Sequence, residues 1–204
     1  MMGIGQFLRH WRPLVLVAAL GASPCAAQAQ AEPSRPEARA APVLKDGAHD
    51  FDFEFGRWTA HIARRLKPLT GSQSWVEYDG LSVVHPLWGG KANIGELDVS
   101  GSAGRIEGMS LRLYDAASRQ WKIRWANGAD GALGEPMVGG FAGGQGLFYN
   151  QEELGGRAIL VRFLFSRMTA TSFRIEQSFS DDGGTSWEVN WISDFTKLPD
   201  QTGK

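Results

Sequence analysis

The sequence predicts an all-β fold: a single antiparallel meander of about ten strands closing into a β-barrel. Three observations predict it. Runs mixing apolar and polar residues with a period of two recur from residue 58 to residue 195. The connections between them are short and rich in Gly, Asp, Asn and Ser. No segment repeats its apolar residues with the period of a helix, so the strands are antiparallel neighbours rather than parts of βαβ units. A meander this long leaves no exposed edge if its first and last strands pair.

The N-terminus precedes the fold. Arg9, His10 and Arg12 lie before an apolar run over residues 14–22, and small residues follow in Ala27-Gln28-Ala29 and Ala29-Gln30-Ala31. This is the layout of a secretory signal peptide over residues 1–31, and the run is too short to span a bilayer. Cleavage after Ala29 or Ala31 removes Cys25, the one cysteine, leaving no thiol for a disulfide or a soft metal. Pro24 in front of Cys25 argues against a lipidated cysteine. The expected location is therefore the periplasm or the medium. Loss of Arg9 and Arg12 leaves 19 of the 21 basic side chains against 22 acidic ones, a net charge of −3 without a basic stripe for nucleic acid. Residues 32–47, rich in Pro and Ala, read as a disordered linker. The domain is expected over residues 48–198, with a disordered tail over 199–204.

Residues 49–58 come next, HDFDFEFGRW. Their alternation would put Asp50, Asp52 and Glu54 on one side of an extended chain. Two readings stay open: a cation site, for which the EF-hand spacing is absent, or a plug or lead-in strand that buries its phenylalanines. Strands are then expected at 58–66, 74–85, 92–99, 105–114, 120–126, 135–141, 146–152 and 158–166, followed by a closing hairpin over 172–195. Eight glycines fall within residues 128–146. No Lys-Ser/Thr or helix follows them, so they form turns, bulges or a rim loop rather than a phosphate cradle.

The closing hairpin is the most legible element. Phe173, Ile175 and Phe179 before its turn, and Trp187, Val189, Trp191 and Phe195 after it, all sit at odd positions. One apolar face would then run its whole length, with odd residues opposite odd ones, for instance Phe179 opposite Trp187. The turn residues Ser180, Asp182, Gly184, Ser186 and Trp187 fit S-x-D-x-G-x-[ST]-W. The motif resembles the Asp-box repeated in sialidases and other β-propellers. That resemblance implies a structural device whose Asp side chain accepts loop N–H bonds. A propeller needs several copies, and here there is one.

A wider resemblance covers nearly all of the chain after the linker. The Phe53, Gly56, Trp58 spacing, the run SLRLYDAASRQWKIRW over 110–125 and the ending SFSDDGGTSWEVNWISDF over 178–195 resemble a bacterial domain family of unknown function with a lipocalin-like (calycin) barrel. This implies the fold and no activity. Haem-binding barrels of the nitrobindin type are similar in outline but use a late histidine, whereas the last histidine here is His85. No cofactor is expected. His49, His61 and His85 lack the spacing of a metal pair, and no Gly-x-Ser-x-Gly elbow occurs.

Seven tryptophans remain after residue 31, and their bulk must fill a core or line a pocket. Residues 159–165, ILVRFLF, are apolar on both faces except for Arg162, which needs a partner. Either Glu176 pairs with it or it anchors a ligand. The expected function is binding of a small, partly apolar molecule inside the barrel, lined by Trp125 and Trp191 and oriented by Arg112, Arg124 or Arg162, with Glu176 nearby. Two alternatives belong to other classes. One is an enzyme using Glu176 or Asp194 as proton shuttle on a small apolar or carbohydrate-like substrate; the other is an envelope interaction module with a filled barrel.

Overall fold

The computed structural model describes residues 46–199. The signal peptide, most of the linker and nearly all of the tail lie outside the described residues. A 3-10 turn, Asp52–Glu54, leads into ten strands: β1 (Gly56–Arg65), β2 (Trp75–Leu87), β3 (Ala92–Gly101), β4 (Gly104–Asp115), β5 (Gln120–Asn127), β6 (Met137–Ala142), β7 (Gln145–Leu154), β8 (Arg157–Ser166), β9 (Ser172–Ser180) and β10 (Glu188–Lys197). Each strand pairs antiparallel with the next, and β1 also pairs with β10, so the sheet closes. Closure removes every edge, as the sequence pattern required. None of the described helices is long and apolar enough to cross a membrane.

The pleat sends alternate residues into the barrel. Two apolar clusters result. One gathers Trp121, Ile123, Met137, Phe148, Ile159, Val161 and Phe165 from β5 to β8. The other gathers Trp58, Ala60, Ile62, Tyr78, Val99, Phe173 and Phe195 from β1 to β3, β9 and β10. Residues 47–55 plug one end. Phe51 is fully buried in the first cluster, edge-on to Trp121 at 4.9 Å and to Phe165 at 5.4 Å. Gly47 already belongs to this plug: it is buried, and its carbonyl accepts the Trp121 indole N–H at 2.8 Å. The plug reading of residues 49–58 is the one realised. Their backbone makes a 3-10 turn instead of an extended run, which separates Asp50 and Asp52 from a buried Glu54.

Two register expectations need correction. In the closing hairpin Glu188, not Trp187, lies opposite Phe179, and the register shifts between Val189 and Trp191. The extra residue, Asn190, is a β-bulge. Beyond it odd residues oppose odd ones, as with Phe195 and Phe173, whereas before it Val189 faces Ser178. The apolar face therefore does not run unbroken. Trp187 is outside the barrel, while Trp191 packs with the inner cluster.

The second correction concerns Arg162. It lies opposite Ser178, and Glu176 lies opposite Leu164. Thr169 closes the β8–β9 turn, its hydroxyl accepting the N–H groups of Thr171 and Ser172. Val161, Phe163 and Phe165 point inward with their neighbours in the first cluster, so Arg162 points outward and lies over the Trp187 ring at 4.4 Å.

Candidate functional site

Several inward-facing residues are not fully buried, although Ile62, Tyr78, Val99, Ile159 and Val161, toward the strand ends away from the plug, are. Leu97, Gly108, Ser110, Phe163, Ile175, Gln177 and Trp191 all stand well inside their strands, and each is only partly buried. Trp125 lies on the same inner face, opposite Ser110, and is 37% exposed. Beside Trp125 the wall is thin, since β5 pairs with β6 only over Trp121, Lys122 and Ile123 and is bridged beyond them by Ala126 and Leu133. Leu97, Phe163, Ile175 and Trp191 also pack against the two apolar clusters.

Local sequence explains the shape of this face. Gly108 faces inward beneath Trp125: a Cβ there would lie 2.4 Å from the ring's Cζ2, so glycine lets the indole lie flat against β4. Trp191 is held by its indole N–H, which donates to the Ser193 hydroxyl at 2.7 Å. Aromatic walls with polar handles are the usual lining of a small-molecule site.

The floor is polar and buried. Arg112 on β4 and Asn93 on β3 are opposite each other, 5% and 0% exposed. An Arg112 Nη1 N–H donates to Glu54 Oε2 at 2.6 Å and to Asn93 Oδ1 at 3.0 Å. Nη2 reaches the Ser110 hydroxyl only at 3.5 Å. The guanidinium lies over the Phe51 ring at 5.0 Å. Three buried atoms of this cluster, Glu54 Oε1, Asn93 Nδ2 and Arg112 Nε, have no hydrogen-bond partner in the protein. Burial pushes the Glu54 carboxyl above its ordinary range, and the charge and hydrogen bond of Arg112 offset only part of that rise.

Of the residues singled out in the sequence, Arg112, Trp125 and Trp191 share the inner face, and Arg124, Arg162 and Glu176 do not. Strand parity decides this, because Ile123 and Trp121 take the inward positions of β5. Arg124 accordingly points outward and donates to the Gly134 carbonyl at 2.8 Å, tying down the glycine-rich loop. Asp194 is outside as well. It accepts two hydrogen bonds from Arg174, at 2.7 and 2.6 Å, which hold its carboxyl below the ordinary range. Neither carboxylate assigned to the enzyme alternative therefore faces the lumen. Sequence reasoning missed Glu54 and Asn93. Glu54 was visible only as one of three acidic residues in the lead-in, and the 3-10 turn that sends it inward carries no signature of its own.

Two concavities are present among the described residues. One of about 640 Å³ sits beside the plug and is floored by Phe53, Phe141 and Met168, which already pack on the core clusters. Another of about 490 Å³ shares Leu97 and Gly108 with the inner face and is lined besides by Glu96, Asp98, Glu107 and Met109. Neither contains a buried polar atom left without a partner.

No family model matches this chain, and neither does any curated protein sequence. Among solved structures it is similar to the S-type phycobiliprotein lyase CPES from Guillardia theta, with a TM-score of 0.51 and 11% identity over 74% of this chain and 91% of that one. A de novo designed fluorescence-activating β-barrel overlaps 76% of this chain and all of its own, at 11% identity and a TM-score of 0.39. At such identity the likeness to the lyase shows the fold alone: a closed antiparallel ten-stranded barrel.

Proposed function

We propose that this protein binds a small, partly apolar molecule inside its barrel, without catalysing a reaction on it. One observation carries the reading: mid-strand residues that face inward, Leu97, Ser110, Gln177 and Trp191 among them, are left partly exposed although the barrel is closed. A filled barrel would bury them, which argues against the interaction-module alternative. Trp125 and Trp191 form the apolar walls, and Arg112 belongs to the floor. The proposal includes export to the periplasm or the medium, supported by the n-region, apolar run and A-x-A sites of residues 1–31. It also includes kinship with the bacterial lipocalin-like domain family, supported by the Phe53, Gly56 and Trp58 spacing.

Native mass spectrometry of protein purified from the periplasm of an expressing bacterium tests this. A bound molecule of a few hundred daltons that dissociates on activation supports the reading; protein that stays bare after exposure to a cell extract counts against it.

A further inference from the structure

The lumen's floor carries a charge pair that is complete in itself. Arg112 and Glu54 neutralise each other at 2.6 Å, yet the cluster keeps unspent hydrogen-bonding capacity of both kinds. Arg112 Nε and Asn93 Nδ2 are donors without a partner, and Glu54 Oε1 is an acceptor without one. These atoms are shut off from solvent, so a head group pairs with them only by displacing the long Ser110 contact, and one that does so gains affinity because buried polar atoms without partners are costly. Ser110 is the next inward residue of β4 away from the plug. It is half-buried and meets the guanidinium only through the long 3.5 Å contact, so it sits where a head group would meet the floor.

Resting on the lumen reading above, we propose that the ligand is uncharged, with an apolar body against Trp125 and Trp191 and a neutral head group that both donates and accepts hydrogen bonds, a hydroxyl or a primary amide, placed at Ser110 and the Arg112–Glu54 floor. An anionic head would bring its charge to the Glu54 carboxylate, and a cationic one would bring its charge to the Arg112 guanidinium. Either ion would shed its hydration shell with no uncompensated counter-charge to receive it. The buried arginine is thus a hydrogen-bonding platform rather than an anion trap.

The test is isothermal titration of the full mature protein with octanol, octanamide, octanoate and octylammonium, at a pH where the last two are ionised. Octanol and octanamide should bind at least about tenfold more tightly than either ion. The Glu54→Gln variant removes the neutralising charge and keeps the shape, so octanoate should overtake octanol in it. Octanoate binding wild type as tightly as octanol would overturn the proposal, and so would a folded Glu54→Gln protein with an unchanged order. If Glu54→Gln does not fold, the wild-type order decides. Binding of all four heads with equal affinity would sink this inference and leave the lumen reading standing. Failure of all four to bind would remove the lumen reading, and the inference with it.

Discussion

Asp182 shows how one side chain organises a turn. Its carboxylate accepts the Ser186 N–H at 2.9 and 3.0 Å, the Ser186 hydroxyl at 2.6 Å and the Ser180 hydroxyl at 2.7 Å. Ser180 Oγ in turn accepts the Gly184 N–H at 2.8 Å, and Gly184 has a φ of +89° that other residues rarely adopt. These bonds, the Ser186 hydroxyl first, hold the carboxyl down at about 2 from an ordinary 3.8. A depressed carboxylate pKa means that the unfolded chain takes up the proton first as pH falls. The contribution of Asp182 is therefore full above about 3.8 and lost as pH drops through about 2. Asp182→Ala should lower the melting temperature at neutral pH by a few degrees, flatten this acid limb and leave ligand affinity unchanged. Melts across an acid series, with titrations on the same protein, check all three. Arg112 behaves differently because it is buried. Arg112→Met alone should cost roughly 3–5 kcal/mol by stranding Glu54, and adding Glu54→Leu should restore most of that loss in denaturant unfolding.

At the scale of elements, the closing hairpin shows what parity can and cannot reveal. The turn was legible because Ser180, Asp182, Gly184 and Trp187 act within a few residues of one another. The bulge at Asn190 was not, since an inserted residue leaves the polar and apolar pattern of Trp187, Val189, Trp191 and Phe195 outwardly intact. Deleting Asn190 should make Val189–Ser178 and Trp191–Gln177 consecutive pairs of a regular ladder, with Trp191 and Phe195 still facing inward. The expected result is a cooperative melt with the near-ultraviolet dichroism retained; loss of both would show that the strand cannot pair without the bulge. The β8–β9 register was hidden as well, because the polar and apolar pattern does not reveal how many residues the turn takes up before Arg162 and Ser178 come opposite each other. Arg162→Met should cost about 1–2 kcal/mol, the size of a partly desolvated cation–π contact over Trp187. It should not alter lumen binding, and a large loss of affinity would mean that the outer wall takes part.

At the scale of the molecule, the closed barrel followed from strand number and turn composition, and each expected strand is present within a few residues. Half of the expected site residues were placed on the wrong face, since inward and outward cannot be told apart until the core is known. Trp121 and Ile123 fix β5 so that Arg124 leaves the lumen and Trp125 enters it. The floor was illegible for a different reason: it joins a plug residue, Glu54, to β3 and β4 across dozens of intervening positions. The central claim is that the interior of the barrel is a binding space, and a lumen-filling substitution tests it most directly. Titrating the uncharged fluorophore N-phenylnaphthylamine into wild type and Ser110→Phe, both verified as folded by circular dichroism, gives the answer. The account predicts saturable enhancement with one probe per wild-type molecule and none with Ser110→Phe, whereas equal binding by the two proteins would contradict it.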